Sequence, residues 1–407
     1  MNYSNNYAAL KELYISTETD KEFDTIELHD VEFVSESFGI LPGIEEYKCN
    51  NHNVTLEEEL SFYSENGIEN NSVHIKDIFA KRNRSFKYQI LKPKGKDKVK
   101  RVVFLFHGFN ERDWSKYLPW AKAISDGTDS AVVLFPLAFH MQRAPKEWSN
   151  TREMFKLSEE RKQTYPNIEN SSLTNVAIST RLHAMPHRAL WSGLQTYNDV
   201  LQLMKNIKKD NNEHIDKDAH IDIFSFSVGG FLAQVLKMTN FNNYFKESKV
   251  FLFCSGATFN NQAPSSKFIL DSETDAALYA YLVKDIDEII ETDPVLRHYL
   301  KGDFLPGKIF YAMLDYNKER EFRESMLKKH EHQIYAISLT KDDIVTPHEI
   351  VNTLKGANRD IDIRIDELDF EYNYIHENPF PVMGVDPKKV DESFEKMFEK
   401  VLSFYNE

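Results

Sequence analysis

Short, unbroken apolar runs recur along the chain from about residue 73 onward: SFKYQIL, RVVFLF, AVVLF, IDIFSF, KVFLFCSGA and HQIYAISL. Runs this short and this uniformly apolar predict strands buried on both faces of a parallel sheet. Stretches with three- and four-residue spacing lie between them. WSKYLPWAKAISDG reads as a helix, and residues 187–208 give a stripe of Leu190, Leu194, Tyr197, Leu201 and Met204. FLAQVLKM and the closing PKKVDESFEKMFEKVLSFY repeat the pattern, and strands alternating with amphipathic helices predict an α/β fold. Residues 1–72 are polar and rich in Asn and Glu, with alternating pieces such as TIELHDVEFV and VTLEEELSFY that suit edge strands and helix turns equally. We read 1–72 as an N-terminal extension on an α/β domain of 73–407. VHIKDIF and SFKYQIL read as two strands, and the lysine-dense KPKGKDKVKR as a solvated hairpin turn.

Two segments interrupt the alternation, at about 137–187 and 258–332. The first follows the carboxyl end of the AVVLF strand, where open α/β sheets bind ligands. It carries eight Lys and Arg against five Asp and Glu over 138–188. Arg143 and His140 lie closest to the strand end and are the candidates for touching a substrate, an anionic one if the local charge is used for binding. The competing reading pairs these arginines with the acidic N-terminal region. The second segment is helical in pattern, and the two together predict a cap over the site.

Bulk properties narrow the function. With 407 residues and 41% hydrophobic content the chain has material for a large core, and a net charge of −14 argues against nucleic-acid binding. Cys49 and Cys254 cannot build a disulfide framework, and no Cys/His cluster has zinc-site spacing; His330-Glu331-His332 alternates on a charged segment and is expected to face solvent. The first residues lack a basic start and an apolar run, and no apolar run reaches membrane-spanning length. The expectation is a cytoplasmic protein with no metal, no cofactor and a small-molecule substrate.

The chemistry concentrates at strand ends. In HIDIFSFSVGGFLAQVLKM a strand gives way to a helix within two residues at Ser227, flanked by Ser225 and Gly229. Small flanks allow the tight turn that lifts a serine hydroxyl clear of the backbone, a nucleophile elbow, although a serine that only caps the helix would look the same. RVVFLF runs into His107-Gly108-Phe109-Asn110, a turn able to leave backbone amides free for an oxyanion. HQIYAISL runs into Thr340-Lys341-Asp342-Asp343-Ile344-Val345, and His376 follows the last strand. A serine needs a histidine to take its proton, and that histidine needs a carboxylate; the chain offers them in the order Ser, Asp, His.

HGFN, SFSVGG, the DxIV pattern from Asp342 and the late His376 together resemble the α/β-hydrolase superfamily over residues 73–404. The resemblance implies an α/β-hydrolase fold, a mostly parallel sheet with helices on both faces. It further implies Ser227 as nucleophile, Asp342 as acid in preference to Asp343, and His376 as base. The amides of Val228 and of Phe109 or Asn110 would form the oxyanion hole. Its chemistry is hydrolysis of an ester-type acyl bond through an acyl-enzyme. A peptidase, thioesterase or acyltransferase on the same residues, or a binding protein that has kept the fold, are the alternatives. Ser225 stands where the family usually has glycine.

Overall fold

The computed structural model describes residues 2–17, 21–42, 46–49, 54–57 and 76–407. Eleven strands are assigned among them: β1 (Lys21–Phe23), β2 (Ile26–Val34), β3 (Glu46–Cys49), β4 (Val54–Glu57), β5 (Ser85–Pro93), β6 (Val99–Phe106), β7 (Ala131–Leu134), β8 (Ile215–Phe226), β9 (Val250–Phe253), β10 (Ile334–Leu339) and β11 (Arg364–Leu368). The helices are α1 (Tyr3–Ile15), α2 (Lys81–Arg84), α3 (Leu118–Thr128), α4 (Thr151–Thr164), α5 (Val176–Ala184), α6 (Arg188–Lys208), α7 (Val228–Thr239), α8 (Ser272–Tyr279), α9 (Ile286–Thr292), α10 (Pro294–Lys301), α11 (Leu305–Ala312), α12 (Arg320–Lys328), α13 (Pro347–Lys355) and α14 (Pro387–Asn406).

Among the described residues nine strands form one sheet in the order β1-β2-β5-β7-β6-β8-β9-β10-β11, while β3 and β4 pair separately. From β7 to β11 every neighbour is parallel; β1, β2 and β5 join antiparallel at one side. Period-two geometry explains the unbroken apolar runs. Val102, Phe104 and Phe106 of β6 point to the layer that holds α6 and α7, and Val103 and Leu105 point to the layer that holds α1, α3 and α14. The inner strands β6, β7, β9 and β10 are buried almost throughout and so covered on both sides, which is the α/β-hydrolase arrangement the sequence predicts.

The structure differs from the sequence reading in three places. Residues 21–34, inside the segment set apart as an extension, supply β1 and β2 to the main sheet; β2 is half-buried, so its pattern alternates only weakly. The lysine-dense turn at 94–98 does not make a hairpin, because β7 lies between β5 and β6 and pairs with both. The reason is burial: all four residues of β7 are buried, and the sheet interior is where such a strand gains most. Within VHIKDIF, residues 73–75 lie outside the described residues, and Asp77–Phe79 is a 3-10 turn whose Asp77 carboxylate is held by Arg181 at 2.6 Å.

The two chain ends meet. The Tyr3 ring lies 4.8 Å from that of Phe394, and the Ser4 amide donates to Asp391 at 2.9 Å. The Tyr405 hydroxyl of α14 donates to the Ile223 carbonyl of β8 at 2.8 Å. Among the described residues no helix is long and apolar enough to cross a membrane.

Candidate active site

Strand β8 becomes helix α7 at Ser227, whose backbone sits at φ 54° and ψ −127°. That conformation is sparsely populated for a residue with a Cβ, so the surroundings must impose it. They do: the Ser227 amide donates to the Phe253 carbonyl at 3.1 Å, and the Ser227 carbonyl accepts from the Gly230 amide at 2.9 Å and from the Ser255 hydroxyl at 2.8 Å. Gly229 is required by space, because a Cβ there would lie 2.6 Å from the Phe106 carbonyl oxygen. Ser225 is tolerated where a glycine is expected, since its buried hydroxyl donates sideways to the Phe251 carbonyl of β9 at 3.0 Å.

Three side chains from three strand ends converge here. His376 Nε2 is 2.7 Å from Ser227 Oγ, and His376 Nδ1 is 2.8 Å from Asp342 Oδ2. Asp342 Oδ1 accepts the amides of Ile344 and Val345 at 3.0 and 2.9 Å, which fixes the carboxylate, whereas Asp343 is exposed. A carboxylate can only accept, so Nδ1 carries the ring proton and the Nε2 lone pair faces the serine hydroxyl. Phe226 stacks on the imidazole at 5.2 Å, and Lys116 holds the following loop by donating to the Glu377 carbonyl at 2.7 Å. His376 and Asp342 are almost fully buried.

Cys254 is a member of this cluster that the sequence does not reveal. Its thiol, His376 and Asp342 each offer a ligand atom within 4.8 Å of the others, a spacing a metal ion could use. The donors are committed otherwise. Burial and then the charge of Asp342 push the thiol well above its usual range, so it stays protonated and donates to Asp342, while both imidazole nitrogens are engaged.

The HGFN turn is built from the inside. His107 Nδ1 donates to the Gly108 carbonyl at 2.7 Å, and Nε2 accepts the Leu137 amide at 3.0 Å. That requires a neutral ring, and burial lowers the His107 pKa well below its ordinary value. The Gly108 amide is taken by the Tyr117 hydroxyl at 2.9 Å, so the next free amide is that of Phe109. Neither Phe109 nor Val228, the first residue of α7, donates its amide to an acceptor among the described residues. Asn110, at φ 56°, ties the turn to both inserted segments through its side chain, which donates to the carbonyls of Thr174 and Phe268 at 3.1 and 2.6 Å.

A cavity of about 210 Å³ opens beside the serine. Ser227, Val228, Phe109 and His140 are on its wall; Asn110 and Arg143 are not. Both inserted segments contribute to the lining, with Ile178 and Leu182 from the first and Leu278, Leu282, Phe310 and Leu314 from the second. The expectation that Arg143 meets an anionic substrate is corrected. It is fully buried, pairs with Asp199 at 2.7 Å, donates to Asn83 and to the Pro136 carbonyl, and stacks over Phe86 at 4.1 Å. Neutralising a buried charge within the core outweighs presenting it to a ligand. His140 reaches the wall, with Nδ1 donating to the Ala138 carbonyl at 2.8 Å and Nε2 meeting no protein partner among the described residues.

The chain belongs to DUF6051, described as a family of unknown function, whose model matches residues 1–406. No curated protein matches it. Solved structures similar to it include carboxyl esterase 2 from the fungus Tuber melanosporum, at 12% identity over 78% of this chain and 81% of that one, TM-score 0.43. A thermostable esterase from Pseudomonas putida is 10% identical over 97% of this chain and 88% of that one, TM-score 0.44. The acylaminoacyl peptidase of Pyrococcus horikoshii is 12% identical over 93% of this chain, which spans 42% of the peptidase, TM-score 0.41.

Proposed function

We propose that this protein is a serine hydrolase of the α/β-hydrolase superfamily that cleaves a carboxylic ester through an acyl-enzyme. The observation that carries the reading is the unbroken line Asp342–His376–Ser227, with contacts of 2.8 and 2.7 Å, at the head of a strained strand-to-helix turn. Ser227 Oγ attacks the ester carbonyl as its proton passes to His376 Nε2, and Asp342 steadies the imidazolium. The amides of Val228 and Phe109 receive the oxyanion. His376 returns the proton to the departing alcohol, water then takes the same path in reverse, and the acid leaves.

The test is labelling with a fluorophosphonate probe, which reacts with an activated serine. The wild-type chain is expected to label at Ser227 and Ser227→Ala to lose the label with its melting temperature nearly unchanged. Equal labelling of the mutant would end the assignment. A panel of ester, amide and thioester substrates separates an esterase from a peptidase or thioesterase on the same residues.

A further inference from the structure

Resting on the serine-hydrolase reading, we infer that the cavity is an acyl-chain pocket selecting carboxylic esters of medium-length apolar acids, about eight carbons long, and that Gly193 sets its length. Three observations carry this.

The first is which side of the reaction the cavity serves. The leaving alcohol takes its proton from His376 and must sit beside that ring. His376 is not on the cavity wall, whereas Ser227, Val228 and Phe109 are. The part of the substrate that stays bonded to Ser227 and next to the oxyanion amides is the acyl group, and the cavity runs from there along α7 past Phe231, Leu232 and Val235.

The second is the chemistry of the lining. Apart from Ser227 and from His140, whose Nε2 meets no partner among the described residues, the polar side chains Arg181, Thr196 and Gln262 are already engaged: Arg181 is held by Asp77 at 3.2 and 2.6 Å and donates to the Ser192 hydroxyl at 2.9 Å, Thr196 donates to the Ser192 carbonyl at 2.8 Å, and Gln262 donates to the Ala257 carbonyl at 3.1 Å. What remains is an aliphatic and aromatic surface, which favours methylene groups over anything needing a hydrogen bond. The volume sets the scale. A cavity of about 150 Å³ lined by Leu, Ile and Phe accepts benzene, with six carbons; in the same proportion about 210 Å³ takes about eight.

The third is Gly193. It lies inside the 21-residue helix α6 and on the cavity wall, and a Cβ built there meets no atom within 4 Å. A helix-interior glycine is destabilising relative to alanine, and no close packing explains this one. Gly193 is exposed, and the open space beside it on the cavity wall is room that an acyl chain can use and a larger side chain would fill. Gly307, across the lining, is the opposite case: a Cβ there would lie 1.7 Å from the Tyr299 carbonyl oxygen.

The experiment measures kcat/KM for p-nitrophenyl esters from acetate to palmitate, together with fluorophosphonate labelling of the same preparation. The expected series rises by roughly fourfold per added methylene, peaks near octanoate and falls beyond decanoate. Gly193→Leu lowers the octanoate-to-acetate ratio by about sixtyfold, three methylenes at about fourfold each. Gly193→Ala moves the ratio the same way by less, and neither substitution lowers the melting temperature. A labelled enzyme whose series peaks at acetate or is flat overturns the pocket assignment and leaves the serine-hydrolase reading standing; a wild-type series as expected with an unchanged ratio in Gly193→Leu overturns the role of Gly193. Absence of both labelling and turnover overturns the underlying reading and the inference with it.

Discussion

Replacing Asp342 by asparagine tests the site more sharply than removing the serine, because it changes one atom and leaves the shape intact. Asp342 Oδ1 accepts two amides at 3.0 and 2.9 Å, and Oδ2 accepts the His376 Nδ1 proton at 2.8 Å. Asparagine has one oxygen. Turned toward His376, that oxygen would leave an NH2 facing two backbone N–H donors, losing two hydrogen bonds of about 1 kcal/mol each and adding a clash of donors. The cheaper arrangement keeps the amides on oxygen and points the NH2 at His376 Nδ1. The imidazole must then present a lone pair at Nδ1 and carry its proton on Nε2, directly opposite Ser227. A histidine in that tautomer cannot accept the serine proton, and the expected loss in kcat is about 10⁴-fold, or ~5.4 kcal/mol in the barrier. Stability is expected to move by less than about 2 kcal/mol, since both amide bonds survive. The assay is steady-state ester hydrolysis with urea unfolding of the same protein, and the control is Asp343→Asn, which changes an exposed carboxylate and is expected to stay within about twofold of wild type. Activity of Asp342→Asn within tenfold of wild type, or a larger loss in Asp343→Asn, would refute the tautomer argument.

The elbow's strain predicts that Ser227→Gly, though inactive and unlabelled, melts above Ser227→Ala, because glycine occupies φ 54° without the cost of roughly 1–3 kcal/mol that a Cβ imposes there; equal melting temperatures would show the turn to be unstrained. Arg143→Leu strands the buried Asp199 carboxylate and is expected to cost about 3–5 kcal/mol, much of it recovered in the double replacement with Asp199→Leu. Denaturant unfolding measures the cost, and kinetics should show no change in the preference between charged and neutral esters. Burial holds His140 down at about 4, His187 at about 3 and His107 well below its ordinary value, whereas in the unfolded chain each titrates near about 6.5. Above that pH both states are neutral and no stability is lost; as pH falls from about 6.5 toward 4 the unfolded chain binds protons the native chain refuses. Unfolding free energy is expected to fall there by up to about 1.4 kcal/mol per pH unit for each histidine, and a flat profile from pH 7 to 4.5 would count against the three buried neutral rings.

The central sheet was legible because its strands are covered on both sides. No polar face interrupts VVFLF or VFLF, so their uniform apolarity is itself the signal, and the long stripe of α6 is equally plain. Strand β2, next to the edge strand β1, was not, because its residues are partly buried on one side and wet on the other, a pattern short helices share. At the site, the order of Ser227, Asp342 and His376 along the chain could be read, each at the end of a strand. Which of two adjacent aspartates turns toward the histidine is a matter of loop geometry that residue type does not encode. Arg143 was read as facing a ligand because it lies close to the end of a sheet strand in a locally basic segment; its partner Asp199 is 56 residues away on α6 and invisible to local charge counting. Cys254 could be placed at the carboxyl end of a buried strand, where the absence of a strand-to-helix turn ranks it well below Ser227, but nothing in that strand hints that it will sit at φ 48° against a buried carboxylate.

Contact between Tyr3 and Phe394, and between Tyr405 and the carbonyl of Ile223, makes α14 a brace shared by the first helix and by the strand that ends at Ser227. Tyr405 and Ile223 stand 182 positions apart along the chain, so the stiffness of the strained turn is borrowed from a distant segment. Loosening α14 would be felt at the serine hydroxyl even though no residue of that helix touches it.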